Sequence, residues 1–316
     1  MTLGNPERAI GGLAVARPAG IELRPLGRDD FEIALSLVRE LYDLPHTESA
    51  VHRARFDSLI GDVDASPFLA VGEGEPAGII IFRFRRRMAL ATYEGWVSDL
   101  YVREAYRRRG IGRALLAAAI AEWRLRGGHQ LVLETAHTNL AARALYESIG
   151  FLQAGTHFQQ RPMTLRAPPT GVTPRPIEPS DLEAVRALLG FPIPPAERLA
   201  SLEQVFAAHL HQSDLIARLT VVDGAPAGIV ALQLREPFFA TAPQAWIAEL
   251  AVAEAARRGG IGRGLLESAL AEAARHGANA AVLECDASAE TRQLLAREGF
   301  QDVGSSYRLA RATSAS

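Results

Sequence analysis

The apolar residues of this chain recur with two spacings, which together predict alternating helices and strands. From Ile111 to Trp123 the apolar residues follow helical spacing, and Gly127 and Gly128 end the predicted helix. A second helix is predicted over residues 139–149 and is closed by Gly150. Short apolar runs predict strands at residues 23–26, 68–71, 79–84, 96–102 and 131–133, with a hairpin turn at 72–78. The resulting order of elements is β-α-(α)-β-β-β-α-β-α-β.

The same pattern occurs twice in the chain. The stretch GEPAGIIIF at residues 74–82 corresponds to GAPAGIVAL at 224–232, and WVSDLYV at 96–102 corresponds to WIAELAV at 246–252, each 150 positions later. The Pro- and Gly-rich segment RAPPTGVTPRP at 166–176 is typical of a linker. We therefore predict a flexible leader at 1–19, an N-terminal domain at 20–166, a linker at 167–173 and a C-terminal domain at 174–316.

Composition and charge narrow the class of protein. A chain of 316 residues with 48% hydrophobic and 22% charged residues is typical of a globular protein with two domains. A formal net charge of −2 gives no reason to expect a nucleic-acid partner, and no apolar run is long enough to predict a membrane span. The single cysteine, Cys285, is typical of a reducing, cytoplasmic compartment. No metal site is expected, because His209 and His211 lie two apart on a predicted helix and do not share a face.

Each copy contains an arginine- and glycine-rich loop between a strand and a helix. The loops are YRRRGIGRALL at residues 106–116 and ARRGGIGRGLL at 256–266. Glycines at a helix N-terminus let backbone N–H groups approach a phosphate, so the loop predicts a phosphate site. A dinucleotide fingerprint fits less well, because Leu115 stands where its third glycine is expected and seven residues separate the strand from Gly110.

Two linked motifs resemble the GNAT acetyltransferase superfamily. The stretch DLYVREAYRRRGIGRALL at 99–116 is similar to the acetyl-CoA motif of that superfamily, and NLAARALYESIGF at 139–151 is similar to its following motif. The resemblance implies an α/β fold of two tandem GNAT-type domains. Each domain is expected to have a central mixed, mostly antiparallel β-sheet flanked by helices.

The resemblance also implies transfer of an acetyl group from acetyl-CoA, used as a co-substrate, to a primary amine by direct attack in a ternary complex. Loop N–H groups are expected to bind the pyrophosphate, and the strand before the loop is expected to bind the peptide-like pantetheine arm. The coenzyme contacts implied for the first half are Leu100, Tyr101, Val102, Arg107, Arg108, Arg109, Gly110, Ile111, Gly112, Arg113 and Asn139, and those for the second half are Arg257, Gly260 and Gly262.

The catalytic residues are expected in the first half. The resemblance implies that Tyr146 is the acid that protonates the leaving thiolate. A base is needed because an alkylamine has a pKa of roughly 10. Glu94 is the favoured base and Asp99 the alternative, with His137 or a chain of waters also open. Strand alternation places Glu94 and Asp99 on opposite faces, so both can enter the site only if the strand has a bulge, a common feature of the family.

The acceptor is predicted only as a small-molecule or peptide amine, and a homodimer is left open. The arginine-rich segment FRFRRRM at 82–88 favours an acceptor with a carboxylate or phosphate, unless these arginines only guard a solvated edge strand. In contrast, Tyr42, Asp43 and Glu48 favour a cationic amine.

The second copy departs from the catalytic motif. Leu295 stands in place of Tyr146, Gln244 in place of Glu94, and the asparagine is absent. We therefore predict an active N-terminal domain and a degenerate C-terminal domain. Two alternatives remain open, namely a non-catalytic acyl-CoA sensor or interaction module and an enzyme with two active halves.

Overall fold

The computed structural model describes residues 18–44, 50–192, 194–286 and 288–310. Glu48 and all but the last two residues of the predicted leader therefore lie outside the described residues. In the first half the helices are α1 (Phe31–Tyr42), α2 (Ala50–Gly61), α3 (Ile111–Leu125) and α4 (Leu140–Ile149). The strands of this half are β1 (Ile21–Pro25), β2 (Phe68–Gly72), β3 (Glu75–Arg86), β4 (Tyr93–Val102), β5 (Gln130–Thr135) and β6 (Leu152–Gln160).

The second half repeats the same order of elements. Its helices are α5 (Leu182–Leu188), α6 (Ala196–Leu210), α7 (Ile261–Arg275) and α8 (Ala289–Arg297). Its strands are β7 (Arg175–Pro176), β8 (Leu215–Val222), β9 (Ala225–Arg235), β10 (Gln244–Val252), β11 (Ala280–Cys285) and β12 (Gln301–Ala310). The predicted order of elements is confirmed in both copies.

The hairpins between β2 and β3 and between β8 and β9 share one turn geometry. Glu73 and Gly74 have φ values of 56° and 83°, and Asp223 and Gly224 have values of 50° and 79°. Two consecutive residues with positive φ form the tight turn that matches the twist of adjacent strands, and Asp-Gly or a similar pair tolerates it. The hairpin predicted at 72–78 is confirmed.

All twelve strands form one continuous mixed sheet, and the last strand of each half has crossed to the other half. The order is β1-β2-β3-β4-β5-β12-β6-β11-β10-β9-β8-β7. Strand β12 pairs antiparallel with β5 of the first half, while β6 pairs antiparallel with β11 of the second half. Consequently Tyr307 of β12 is buried in the first core and Phe158 of β6 in the second.

The loops that join the central strands are exchanged as well. The first loop, residues 87–92, places Met88 in the second half against Leu182 and Val185, whereas the second loop, residues 236–243, places Phe238 in the first half. The ring of Phe238 lies 5.5 Å from that of Phe56 and 6.3 Å from that of Phe31. Each half therefore completes the core of the other. The domain boundaries predicted at 166 and 174 stay a prediction.

Candidate functional site

The two glycine loops have the same backbone geometry. In the first loop Arg108 and Gly110 have φ values of 62° and 81°, and in the second Arg258 and Gly260 have values of 68° and 79°. Each loop leads directly into a long helix, α3 or α7. A turn with residues in these conformations can direct backbone N–H groups towards a common anion, and the helix N-terminus adds a favourable dipole. Both loops therefore fit the pyrophosphate of a coenzyme.

Several side chains of the first loop brace it against the rest of the half. Arg107 Nε donates to the carbonyl of Val102 at 3.1 Å, Arg109 pairs with Glu73 at 3.2 Å, and Arg113 donates to Ser148 Oγ at 2.6 Å. A Cβ added at Gly112 would lie 3.2 Å from Leu145, which shows how closely α3 and α4 approach at the start of the helix. The loop is thus held in the conformation that exposes its N–H groups. Ile111, the first residue of α3, is buried.

Strands β4 and β5 separate beyond the middle of the sheet. Their parallel pairing runs from Glu94 with Gln130 to Val97 with Leu133, and none of the described residues continues it. Leu100, Tyr101 and Val102 therefore pair with β3 on one side only. An unpaired strand edge that leads to a phosphate loop suits a peptide-like arm. In the second half β10 and β11 separate in the same way after Trp246 and Val282.

Strand β4 contains a bulge of the kind that is common in the resembled family. Asp99 pairs with Ile81 and Val97 pairs with Phe82, so Ser98 is the extra residue in the ladder. Ala248 is the corresponding extra residue of β10. The bulge bends the strand at the point where it leaves β5, and it re-aims the side chains that follow.

Asp99 lies beside this bulge with two hydroxyl donors. Tyr42 Oη donates to Oδ1 of Asp99 at 2.7 Å, and Ser98 Oγ donates to Oδ2 at 2.6 Å. Burial raises the pKa of Asp99 and outweighs the opposing effects of these hydroxyls and of the Arg83 charge. Asp99 also lines a cavity, so it combines a raised pKa with access to a ligand.

Glu94 is held in ion pairs away from such a role. It is fully buried, bonds to Arg85 and Gln130, and lies 3.4 Å from Arg87 Nε. Burial alone would raise the pKa of Glu94, but the charges of Arg85 and Arg87 prevail and lower it to about 2. A carboxylate with so low a pKa is a weak base. The assignment of Glu94 as the base stays a prediction, and its surroundings favour Asp99 instead.

Tyr146 lies in the first core, 5% exposed. Its ring is 6.1 Å from that of Phe151 and 5.7 Å from that of Tyr307, which comes from the exchanged strand β12. Burial, followed by the charge of Glu134, raises the pKa of Tyr146 well above the usual value. The phenol is therefore protonated at neutral pH and can act as a proton donor.

Asn139 and His137 contact other parts of the protein. Asn139 Oδ1 accepts a hydrogen bond from the backbone N–H of Ala142 at 3.1 Å and caps α4. His137 Nε2 lies 2.6 Å from Asp302 Oδ1, and its Nδ1 lies 3.0 Å from Ser305 Oγ. The histidine is thus attached to β12 and is not among the residues that line the cavity.

A buried cluster at the junction of the halves was not predicted. Trp96 Nε1 donates to Glu134 and Trp246 Nε1 donates to Glu284, both at 2.9 Å. Arg85 and Arg235 stack on the indole rings, and His157 lies 3.6 Å from Glu284. Three pairs, Trp96 and Trp246, Glu134 and Glu284, and Arg85 and Arg235, are each 150 positions apart. The signal was therefore present in the repeat, but only the exchanged strands bring the pairs together.

A cavity of about 500 Å³ lies beside this cluster and is lined by both halves. The first half contributes Asp99, Tyr42, Arg85 and Glu134, among others. The second half contributes Arg235, Phe239, Gln244 and Glu284, among others. Phe239 stacks on Tyr42 with the ring centroids 4.0 Å apart, so the second half supports the partner of Asp99. The volume is within the usual range of small-molecule sites.

The arginines of the segment 82–88 do not act as one group. Arg83 pairs with Asp62 at 3.0 Å, Arg86 stacks on Tyr93, and Arg87 bonds to the carbonyl of Ala248 as well as approaching Glu94. Arg83 and Arg85 line the cavity. Asp43 ends α1 in a left-handed conformation and is not a lining residue.

The corresponding position in the second half is covered by the first loop. Glu249, the counterpart of Asp99, accepts a hydrogen bond from the backbone N–H of Met88 at 3.3 Å. Burial raises the pKa of Glu249 to about 7. Leu295, the counterpart of Tyr146, is buried in the second core. Glu249 does not line the cavity that Asp99 lines.

The described residues contain neither a metal-binding group of side chains nor a membrane-spanning helix. Within the described ranges, no group of three or more His, Cys, Asp or Glu side chains has the arrangement of a metal site. No helix within those ranges is both long enough and apolar enough to cross a membrane.

Comparison with known proteins identifies the family. The model of the acetyltransferase (GNAT) family matches residues 33–151 and 183–300, which is well over half of the chain. The chain belongs to the GNAT acetyltransferase family, and it contains two copies of the family domain.

Individual relatives agree with this family. The chain is 42% identical over 71 residues to the [ribosomal protein bS18]-alanine N-acetyltransferase of Escherichia coli, a match that covers 22% of this chain and 48% of that protein. A GCN5-related N-acetyltransferase from Sphaerobacter thermophilus has a TM-score of 0.59 at 20% identity, over 93% of this chain and 97% of that chain. A tandem GNAT protein from the clavulanic acid biosynthesis pathway also has a TM-score of 0.59, at 18% identity, over 93% and 99% of the two chains. The chain spans about half the length of the curated relatives it matches.

Proposed function

We propose that this protein is an N-acetyltransferase that moves an acetyl group from acetyl-CoA to an amine, with the chemistry in the N-terminal half. The observation that carries this proposal is the contrast between the two bulges. Asp99 opens onto a cavity of about 500 Å³, whereas its counterpart Glu249 is bonded to Met88 of the first loop. Tyr146 is present only in the half with the open carboxylate.

The residues for coenzyme binding lie along one path. Loop N–H groups between Arg109 and Arg113 suit the pyrophosphate, and the free edge of Leu100 to Val102 suits the pantetheine arm. A backbone N–H of this edge can also polarise the thioester carbonyl. Acetyl-CoA supplies the activated acyl group when it is bound. The second loop has the same geometry, so we propose that coenzyme binding there is retained without catalysis.

Asp99 and Tyr146 of the first half transfer the protons of the reaction. Asp99 accepts a proton from the incoming ammonium group, and Tyr42 and Ser98 hold its carboxylate in place. The free amine then attacks the thioester carbonyl, and Tyr146 donates its phenolic proton to the departing thiolate. Glu94 neutralises Arg85 and Arg87 rather than acting on the substrate.

The relatives support an amine as acceptor. The Escherichia coli relative is named for acetylation of an alanine of a ribosomal protein. Both peptide amines and small-molecule amines therefore belong in an acceptor panel for this protein.

Calorimetry with acetyl-CoA, followed by thiol release against a panel of amines, tests the proposal. We expect binding together with amine-dependent release of thiol. Binding of acetyl-CoA without release for any amine would contradict the proposal and would favour the acyl-CoA sensor. Analysis of the product by mass spectrometry should show one acetyl group on the amine.

A further inference from the structure

We infer that Arg235 of the C-terminal half is the receptor for an anionic group of the acceptor, so that the preferred acceptor is an amine that also carries a carboxylate. This inference rests on the proposed function. It assigns to the second half a part in the acceptor site of the first.

Arg235 lacks the charge partner that its counterpart Arg85 has in the first half. In the first half Arg85 lies directly opposite Glu94 across strands β3 and β4, and the two form an ion pair. In the second half Arg235 lies opposite Gln244 across β9 and β10 in the same register. A neutral amide thus stands where the other copy has a carboxylate. Within the part of the chain that the structure describes, no carboxylate lies within ion-pair distance of Arg235.

The guanidinium of Arg235 is enclosed but not hydrogen-bonded. Its central carbon lies 3.9 Å from the ring centroid of Trp96 and 3.8 Å from that of Trp246. Neither of its Nη atoms has a hydrogen-bond partner among the described residues. A buried donor without a partner costs free energy, and a buried unpaired charge costs more. A ligand that supplies the missing acceptor would recover that free energy.

Glu284, Glu134 and Glu94 attract the charge of Arg235, but none of them accepts a hydrogen bond from its Nη atoms. Arg85 is matched by Glu94 and Glu284, and Arg87 also approaches Glu94. Glu134 accepts a hydrogen bond from Trp96, and burial together with the charge of Glu284 raises its pKa. A carboxylate is planar and can accept two hydrogen bonds from one guanidinium, which makes it a suitable ligand for Arg235.

Arg235 and Asp99 line the same cavity. An acceptor within it can therefore present an amine to Asp99 and a carboxylate to Arg235. Phosphate would use the same N–H groups, so phosphorylated amines belong in the test as a second arm.

Matched pairs of acceptors test this inference. Thiol release is measured with γ-aminobutyrate and its amide, ε-aminocaproate and its amide, and phosphoethanolamine and ethanolamine, for the native protein and its variants. In the native protein we expect kcat/KM for the carboxylates to exceed that for the amides by about ten- to a hundredfold, the usual gain from a hydrogen-bonded ion pair. A larger preference within the phosphate pair would instead assign Arg235 to a phosphate and overturn the carboxylate.

Two variants test the unpaired guanidinium of Arg235 in different ways. Arg235→Gln removes the cation, and Gln244→Glu restores the internal partner that Arg85 has in the first half. We expect both to reduce the preference for the carboxylate over the amide to about onefold. Arg218→Gln, which removes an arginine paired with Glu272 outside the cavity, should retain the native preference.

Product binding separates this inference from the proposed function. Calorimetry with N-acetyl-γ-aminobutyrate and its amide needs no turnover. If no amine is acetylated but the native protein binds the carboxylate more tightly than the amide, and Arg235→Gln does not, then the proposed function fails and the anion site stands. Equal use or binding of carboxylate and amide by the native protein would overturn the inference, as would a preference that survives in Arg235→Gln.

Discussion

The two halves of this protein share a coenzyme loop but differ where the acceptor is expected. The φ values of Gly110 and Gly260, 81° and 79°, show that the loop backbone has hardly changed since duplication. The carboxylates beside the bulges have changed in both residue type and surroundings. Asp99 has two hydroxyl donors and a cavity, whereas Glu249 has a backbone N–H from the other half.

This difference shows that a phosphate loop does not by itself define an active site. The loop conformation depends on a turn and a helix start, which the fold needs in any case. Proton transfer depends on a few side chains, which can be lost without unfolding the domain. In the second half Glu249 instead accepts a hydrogen bond from the first loop, residues 87–92, and Leu295 packs in the second core.

The largest effect is expected from a charge in the first glycine loop. Gly110→Glu should reduce turnover by at least about a hundredfold, because a carboxylate would face the coenzyme pyrophosphate. The strain of a side chain at positive φ, about 1 kcal/mol, adds to this effect. Thiol release with a saturating amine measures the loss.

Gly260→Glu is the matched control for that variant, because the φ of Gly260 is nearly the same. An added Cβ would lie 3.3 Å from Pro169 at this position and 3.7 Å from Pro18 at Gly110, so Gly260→Glu carries the slightly tighter contact. We expect it to retain most of the turnover while reducing the stoichiometry of acetyl-CoA binding measured by calorimetry. Equal losses of turnover in the two variants would indicate that both halves are catalytic.

A smaller effect is expected from the phenol of the first half. Tyr146→Phe should lower kcat by about a hundredfold with little change in the Kd for acetyl-CoA, since general acid catalysis contributes about that much. Stopped-flow or steady-state thiol assays together with calorimetry separate the two quantities. Leu295→Met, the matched change in the second core, should leave kcat unchanged, and a native kcat for Tyr146→Phe would exclude Tyr146 as the acid.

A smaller effect on kcat/KM is expected from a change in the second exchanged loop, residues 236–243. Phe239→Ala removes the ring that stacks on Tyr42, and we expect kcat/KM to fall by about tenfold because Tyr42 then holds Asp99 less firmly. Ala89 occupies the corresponding position of the first loop, so the variant makes the loops alike at this position. The pH at which kcat/KM rises should shift as well.

Met88→Ala truncates a buried side chain of the first loop, at the position that corresponds to Phe238. We expect it to lower the free energy of unfolding by about 2–5 kcal/mol, the usual cost of truncating a buried methionine, without changing the pH dependence of kcat/KM. If Phe239→Ala and Met88→Ala changed kcat/KM to the same extent, the two loops would contribute only to stability, and the contact of Phe239 with Tyr42 would have no separate effect on catalysis.

The smallest effect concerns stability rather than turnover. Burial raises the pKa of Glu249 to about 7 from its ordinary value of 4.5. Between those values the folded state binds more protons than the unfolded state, so Glu249 reduces stability as the pH rises. Native protein should therefore lose more free energy of unfolding than Glu249→Gln between about pH 5 and pH 8, by about 3 kcal/mol. Urea unfolding at the two pH values measures the difference, and parallel losses would contradict the raised pKa.

Much of the fold could be predicted from the sequence, but the exchange of strands could not. Periodicity and glycine positions predict each element, and the family resemblance raises the bulge that separates Val97 from Asp99 as a condition for both carboxylates to enter the site. The terminal strands are repeats of one another, with Phe158 and Tyr307 at equivalent positions. The local sequence pattern is therefore compatible with pairing of β5 with either β6 or β12. Only the packing of the whole chain selects β12.

The choice between Glu94 and Asp99 illustrates the same limit within the site. Both carboxylates lie on β4 and both are buried. Strand alternation places them on opposite faces, but it does not show which face opens onto the site. What separates them is the cross-strand partner, because Arg85 faces Glu94 while Tyr42 of α1 reaches Asp99. The cluster around Trp96 and Trp246 depends on contacts between the halves, which no local motif encodes.

The most direct measurement is the pH dependence of kcat/KM for Asp99→Asn and Glu249→Gln, with the same acceptor amine for both variants. We predict that Asp99→Asn lowers kcat/KM by about a hundredfold or more and abolishes the rise of kcat/KM with pH that reflects the raised pKa of Asp99, while Glu249→Gln retains the native profile. A native profile for Asp99→Asn, or an equal loss in Glu249→Gln, would contradict the assignment of the chemistry to the N-terminal half.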